Sequence, residues 1–111
     1  MQVEVEIASP EGSRTMPLDE GPSLVIGRAD GSSVTLKHDD VSRRHASVEL
    51  TPGGLVVRDL STNGTFVGGK RVMGAMKLPF NTPIQVGPFT LRIRMPGEGR
   101  AVAGVVSRPL K

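Results

Sequence analysis

Residues 46–58 read Ala46-Ser47-Val48-Glu49-Leu50-Thr51-Pro52-Gly53-Gly54-Leu55-Val56-Val57-Arg58 (ASVELTPGGLVVR). Ala46, Val48 and Leu50 alternate with Ser47 and Glu49, the period of a strand with one buried face. Pro52-Gly53-Gly54 punctuates the run, since proline fixes φ and glycine opens the conformations a tight turn needs. Leu55 to Arg58 then resumes an apolar strand. The stretch is a β-hairpin, and nothing in it has the 3.6-residue period of a helix.

The same grammar extends outward in both directions. Towards the N-terminus, Val34-Thr35-Leu36 is a short strand, and Leu24-Val25-Ile26 is a continuous apolar run that reads as a buried strand ending at Gly27-Arg28. Val3, Val5 and Ile7 alternate with Glu4 and Glu6. The Ser9-Pro10-Glu11-Gly12 turn hands that strand over to a hairpin partner at Arg14 to Leu18. Towards the C-terminus, Asn63-Gly64 is a turn signal, because both residues tolerate positive φ. Phe66-Val67, Gly68-Gly69 and Lys70 to Val72 make a small hairpin, and Ile84 to Val86 pairs with Thr90 to Arg94 around Gly87-Pro88. Fourteen glycines and nine prolines in 111 residues break the chain at intervals of roughly eight to twelve residues, the pattern of an antiparallel sandwich or barrel. The expected core is Leu24, Val25, Ile26, Val48, Leu50, Val57, Phe66, Val86, Leu91 and Ile93. From Pro96 the pattern dissolves into PGEGRAVAGVVSRPLK, so the expected division is a domain over 1–95 and a flexible tail or linker over 96–111.

Composition removes several classes of function. Lysine and arginine total 14 against 11 acids, a formal charge of +3, with three phenylalanines and no other aromatic residue. Single-stranded nucleic acid binders interleave a basic stripe with stacking aromatics; this chain does not, and no nucleic-acid partner is expected. There is no cysteine, hence no disulfide, thiolate metal site or cysteine nucleophile. The start, MQVEVEIASPEG, has neither a basic n-region nor an apolar h-region, and no apolar run has the length of a membrane span. A cytoplasmic domain without a membrane partner is expected.

Polar residues gather in three segments between strands: Gly27-Arg28, Ser42-Arg43-Arg44-His45, and Ser61-Thr62-Asn63-Gly64-Thr65 introduced by Asp59-Leu60. Loops at one end of a sandwich are the usual place for function. A phosphate monoester offers about −1.5 to −2 charges and three acceptor oxygens. Its receptor needs a fixed guanidinium, a small hydroxyl donor, a second cation and free amides. Arg28 supplies the bidentate fork, Ser42 the hydroxyl, and Arg43 the second charge or a neighbouring N–H.

In order and spacing, Gly27-Arg28, Ser42-x-x-His45 and Asn63-Gly64 resemble the forkhead-associated (FHA) domain, as do the longer runs Val41 to Ala46 and Asp59 to Thr65. Gly68-Gly69 stands where that family often has Asn-Gly. The resemblance implies an all-β fold, a sandwich of two antiparallel sheets with about eleven strands. It also implies a module that binds phosphothreonine in partner proteins of Ser/Thr kinase signalling, such as a kinase or its substrate, and that uses no cofactor. Carried over residue by residue, Thr62 contacts the phosphothreonine and Asn63 the ligand main chain. Gly27, His45 and Gly64 support the site. Selectivity among ligands in this family lies largely in residues around the +3 position of the peptide.

Rival readings of the same residues are weaker. Ser42 and His45 mimic a nucleophile and base, but side chains three apart entering a strand point to opposite faces, and no oxyanion loop accompanies them; no enzyme activity is expected. His38 and His45 with Asp39 and Asp40 do not have the spacing of a metal site. Asn63-Gly64-Thr65 matches a glycosylation acceptor, yet without a secretory signal it reads as a hairpin turn, and Asp59 as a loop brace. The competing function is an FHA-like scaffold for phosphate-independent assembly, for example in a secretion or signalling complex. The intact Arg28, Ser42 and Asn63 favour the phosphate-dependent module.

Overall fold

A computed structural model describes residues 2–19 and 21–96. Apart from Pro96, the expected C-terminal tail lies outside the described residues. Eleven strands follow in order: β1 (Gln2–Ser9), β2 (Gly12–Asp19), β3 (Ser23–Gly27), β4 (Val34–Thr35), β5 (Ala46–Thr51), β6 (Gly54–Asp59), β7 (Thr65–Val67), β8 (Lys70–Arg71), β9 (Ala75–Leu78), β10 (Ile84–Val86) and β11 (Phe89–Arg94). They form two sheets, ordered β2-β1-β11-β10-β7-β8 and β4-β3-β5-β6-β9. All the pairings are antiparallel except the two-residue ladder between β3 and β4. No helix among the described residues is long and apolar enough to cross a membrane.

Alternation decides which face each residue takes. In the β5–β6 hairpin Val48 pairs with Val57 and Leu50 with Leu55, and all four are buried. Leu24 sits opposite Val48, and Ile26 opposite Ala46. The other sheet contributes Val3, Val5, Ile7, Ile84, Val86, Leu91 and Ile93. The resulting interior is aliphatic, with Phe80 and Phe89 only partly buried against it.

Three expectations shift in detail. Val25 pairs with Ser47 on the outer face of its sheet and is only half-buried, because the middle residue of a three-residue apolar run must face away from its neighbours. Phe66 is likewise half-buried, paired with Gln85 and Arg71 on the outer face of the six-stranded sheet. Asn63-Gly64 is not a hairpin turn: β6 and β7 belong to different sheets, so residues 60–64 cross from one to the other. The hairpin at Gly68-Gly69 does form, with both residues at positive φ (59° and 79°), as a two-residue turn matched to strand twist requires.

Candidate phosphate-binding loops

Two buried anchors hold the long segment between β4 and β5. Leu36 and Val41 lie in the core, the Leu36 amide donates to the Gly27 carbonyl at 2.9 Å, and the Val41 amide to the His38 carbonyl at 3.0 Å. Between these anchors His38, Asp39 and Asp40 face solvent, and half-buried Ser42 and exposed Arg43 and Arg44 follow.

The end of β3 is stitched to this segment. Arg28 and Ala29 donate their amides to the carbonyls of Ser42 (3.0 Å) and Arg43 (3.2 Å). A side chain at position 27 is impossible without movement, since an added Cβ would lie 2.1 Å from the Arg43 carbonyl oxygen. Glycine is therefore required here for space. The Arg28 Nε donates to the Val41 carbonyl at 3.0 Å. This fixes the plane of the guanidinium while its terminal nitrogens make no hydrogen bond among the described residues. A fork held by its stem and open at its tip suits an oxyanion.

His45 joins all three segments. It has no solvent exposure. The Ser42 amide donates to Nδ1 at 3.1 Å, so Nε2 carries the proton and donates to the Gly64 carbonyl at 2.8 Å. Its own amide donates to Ile26, and its carbonyl accepts from Leu60. Ser42 and His45 thus do meet, contrary to the expectation from their spacing, but through the Ser42 backbone. With both ring nitrogens committed, His45 cannot take a proton from the Ser42 hydroxyl. That hydroxyl instead accepts from the Thr62 amide at 3.2 Å, which leaves its own proton free to donate outward.

The 60–64 crossover has its own brace. Asp59 Oδ1 accepts from the Ser61 amide (3.0 Å), the Ser61 hydroxyl (2.6 Å) and the Thr65 hydroxyl (2.9 Å). Oδ2 accepts from Arg71 Nε and Nη2 at 3.2 and 3.1 Å. Burial alone pushes the Asp59 carboxyl up; the hydrogen bonds from Ser61, Thr65 and Arg71 outweigh it and hold the group below the usual carboxylate range. The Gly64 amide donates to Ser61 Oγ at 2.7 Å. Thr62 and Asn63 are exposed at the tip, with Asn63 Nδ2 3.5 Å from the Asp40 carbonyl.

The structure therefore brings Gly27, Arg28, Ser42, Arg43, His45, Thr62, Asn63 and Gly64 to one end of the sandwich. Arg28 and Arg43 line a shared concavity of about 530 Å³, with the Lys37–Asp30 ion pair on its rim. Sequence reading missed the Val41 carbonyl and the paired roles of Ser61 and Arg71. A backbone acceptor leaves no mark in a sequence, and Arg71 lies 12 residues from the carboxylate it meets.

Comparison with known proteins follows the same outline. FhaB, an FHA domain-containing protein of Mycobacterium tuberculosis, is 39% identical over 88 residues, covering 76% of this chain and 56% of FhaB; the chain thus spans little more than half the length of that relative. An FHA domain solved in a study of phosphothreonine-dependent FHA domain interactions superposes with a TM-score of 0.70 at 32% identity, covering 86% of this chain and 97% of that one. The FhaA FHA domain complexed with the intracellular domain of Rv3910 gives a TM-score of 0.69 at 32% identity, over 83% of this chain and 99% of that one. The family model described as the FHA domain matches residues 24–87, the span from β3 to the β10–β11 turn that carries all three loops. By its fold, its loop motifs and this match, the chain belongs to the FHA domain family.

Proposed function

We propose that residues 1–95 form a phosphothreonine-dependent protein-binding module that recognises phosphorylated partners in Ser/Thr kinase signalling in the cytoplasm. One observation carries the reading. The Arg28 guanidinium is fixed through Nε on Val41, and the Ser42 hydroxyl through the Thr62 amide, so two donors on adjoining loops are oriented before any ligand arrives. Receptors organised in advance do not spend binding free energy on ordering loops. In this reading Arg28, Ser42 and Arg43 bind the phosphate, Thr62 contacts the phosphothreonine, and Asn63 holds the ligand main chain. Gly27, His45 and Gly64 keep the loops in place, and no bond is made or broken. The partner named for the FhaA domain, the intracellular domain of Rv3910, supports a protein ligand.

Calorimetric titration of one peptide carrying threonine, phosphothreonine, phosphoserine or glutamate tests this. Phosphothreonine should bind tightest. Glutamate, planar and singly charged, cannot satisfy donors set around a tetrahedral dianion. Phosphoserine should bind more weakly by about 0.8 kcal/mol or more, the transfer free energy of one methyl group. Equal affinity for the unphosphorylated peptide would overturn this reading and favour the phosphate-independent scaffold.

A further inference from the structure

The loop that carries Ser42 separates two concavities of unlike charge. The one described above contains Arg28, Lys37 and Arg43 against Asp30 and Asp39. The other lies on the far side of Asn63, between the crossover loop, the β7–β8 turn and the β10–β11 turn, with a volume of about 580 Å³. Among the described residues its lining includes the Phe66 ring, the polar side chains of Asn63 and Gln85, and one ionisable group, Asp40.

We propose that this second concavity seats a cationic side chain, lysine or arginine, of the phosphorylated ligand, and that the Asp40 carboxylate selects it. The inference rests on the proposed function, because the ligand must be anchored at Arg28 and pass Asn63 to reach the concavity. Three features support it. First, the Asp40 carboxylate has no lysine or arginine partner among the described residues. His38 Nδ1 is 3.8 Å from Asp40 Oδ2 but accepts the Asp40 amide proton at 3.0 Å, so that nitrogen has no proton to share with the carboxylate. Arg71, near Gly64, is engaged by Asp59. Second, Gly69 in the lining has nothing within 4 Å of the place a Cβ would take, which leaves room for a long side chain beside the β7–β8 turn. Third, Phe66 offers a ring against which an alkyl stem or guanidinium can lie. An acidic ligand residue at the same place would face Asp40 unshielded.

The test uses phosphothreonine peptides in an alanine background, with a single lysine or glutamate scanned through each position flanking the phosphoresidue. Affinities are measured for the parent, Asp40→Asn and Asp40→Glu. At one position lysine should bind roughly five- to tenfold tighter than glutamate, a modest ratio because Asp40 is 67% exposed. The ratio should collapse in Asp40→Asn and persist in Asp40→Glu. Reading the ratio cancels any general gain from removing a negative charge near the phosphate. A flat scan, a preference spread evenly over all positions, or one that survives in Asp40→Asn would overturn the inference while leaving phosphopeptide binding intact. If the all-alanine phosphopeptide does not bind, the proposed function fails and the inference falls with it.

Discussion

Gly27→Ala puts the site's construction to the test without touching a proposed ligand contact. The added methyl would lie 2.1 Å from the Arg43 carbonyl oxygen, 2.9 Å from its carbonyl carbon and 3.1 Å from the Arg44 Cα. All three are backbone atoms, so no side chain can swing away, and β3 must part from residues 42–44 by about 1 Å to restore ordinary contact. Overpacking of this kind costs about 1–3 kcal/mol. Parting the segments also weakens the Arg28-to-Ser42 and Ala29-to-Arg43 backbone bonds, each worth about 0.5–1.5 kcal/mol. Against this, alanine restricts the unfolded chain and returns about 0.4–1 kcal/mol. The net expectation is a loss of about 1–5 kcal/mol, seen as a lower urea midpoint at unchanged slope. Phosphopeptide affinity should fall at least tenfold, because the same parting moves Arg28 relative to Ser42. Gly53→Ala is the control: nothing lies within 4 Å of its added Cβ, and its stability should stay within about 0.5 kcal/mol of the parent. Gly27→Ala with parental stability and affinity would refute the view that close backbone approach builds the site.

Arg28→Ala should cost about 2–5 kcal/mol of phosphopeptide binding, the range for truncating one partner of a close charge pair, with little change in melting temperature; Arg28→Lys should not restore it, because an ammonium lacks the planar fork. His45→Ala should lower stability and binding together, by about 2–5 kcal/mol in stability, since it strands the Ser42 amide and the Gly64 carbonyl without partners. Asp59 gives a pH signature: its carboxyl is held below the ordinary value in the folded state, so the unfolded chain binds the extra proton first. Its stabilisation is full above the unfolded value of about 4 and disappears as pH falls through the folded one. Urea midpoints between neutral and acid pH should therefore drop less steeply in Asp59→Asn than in the parent.

Most of the fold was legible because turns and alternation report on a backbone that must pair in sheets. The exceptions are physical. Strand β9 carries Ala75, Met76, Lys77 and Leu78, with no β-branched or aromatic residue, and is an edge strand fixed by its ladder to β6. Val25 and Phe66 looked like core because hydrophobicity alone does not say which face of a sheet a residue occupies. At the site, the motif residues were visible and their spacing announced a shared end of the sandwich. Their mutual restraints were not, since these run largely through carbonyls and amides. The concavity beside Asn63 was also hidden: it is assembled from four separate segments, and three of its lining positions are glycines, which offer no side chain to read.

The commitments of His45 have a dynamic consequence. Its four hydrogen bonds reach Ile26, Ser42, Leu60 and Gly64, so no one of the three loops can leave without breaking a bond that also positions another. The amides of Ser42, His45 and Leu60, each a donor in one of these bonds, should then exchange with deuterium as one cooperative unit with a common opening free energy. The fraction of molecules in which that unit is closed multiplies the intrinsic affinity. A substitution buried well away from any ligand can thus set how strongly the surface binds, simply by changing how often this knot is tied.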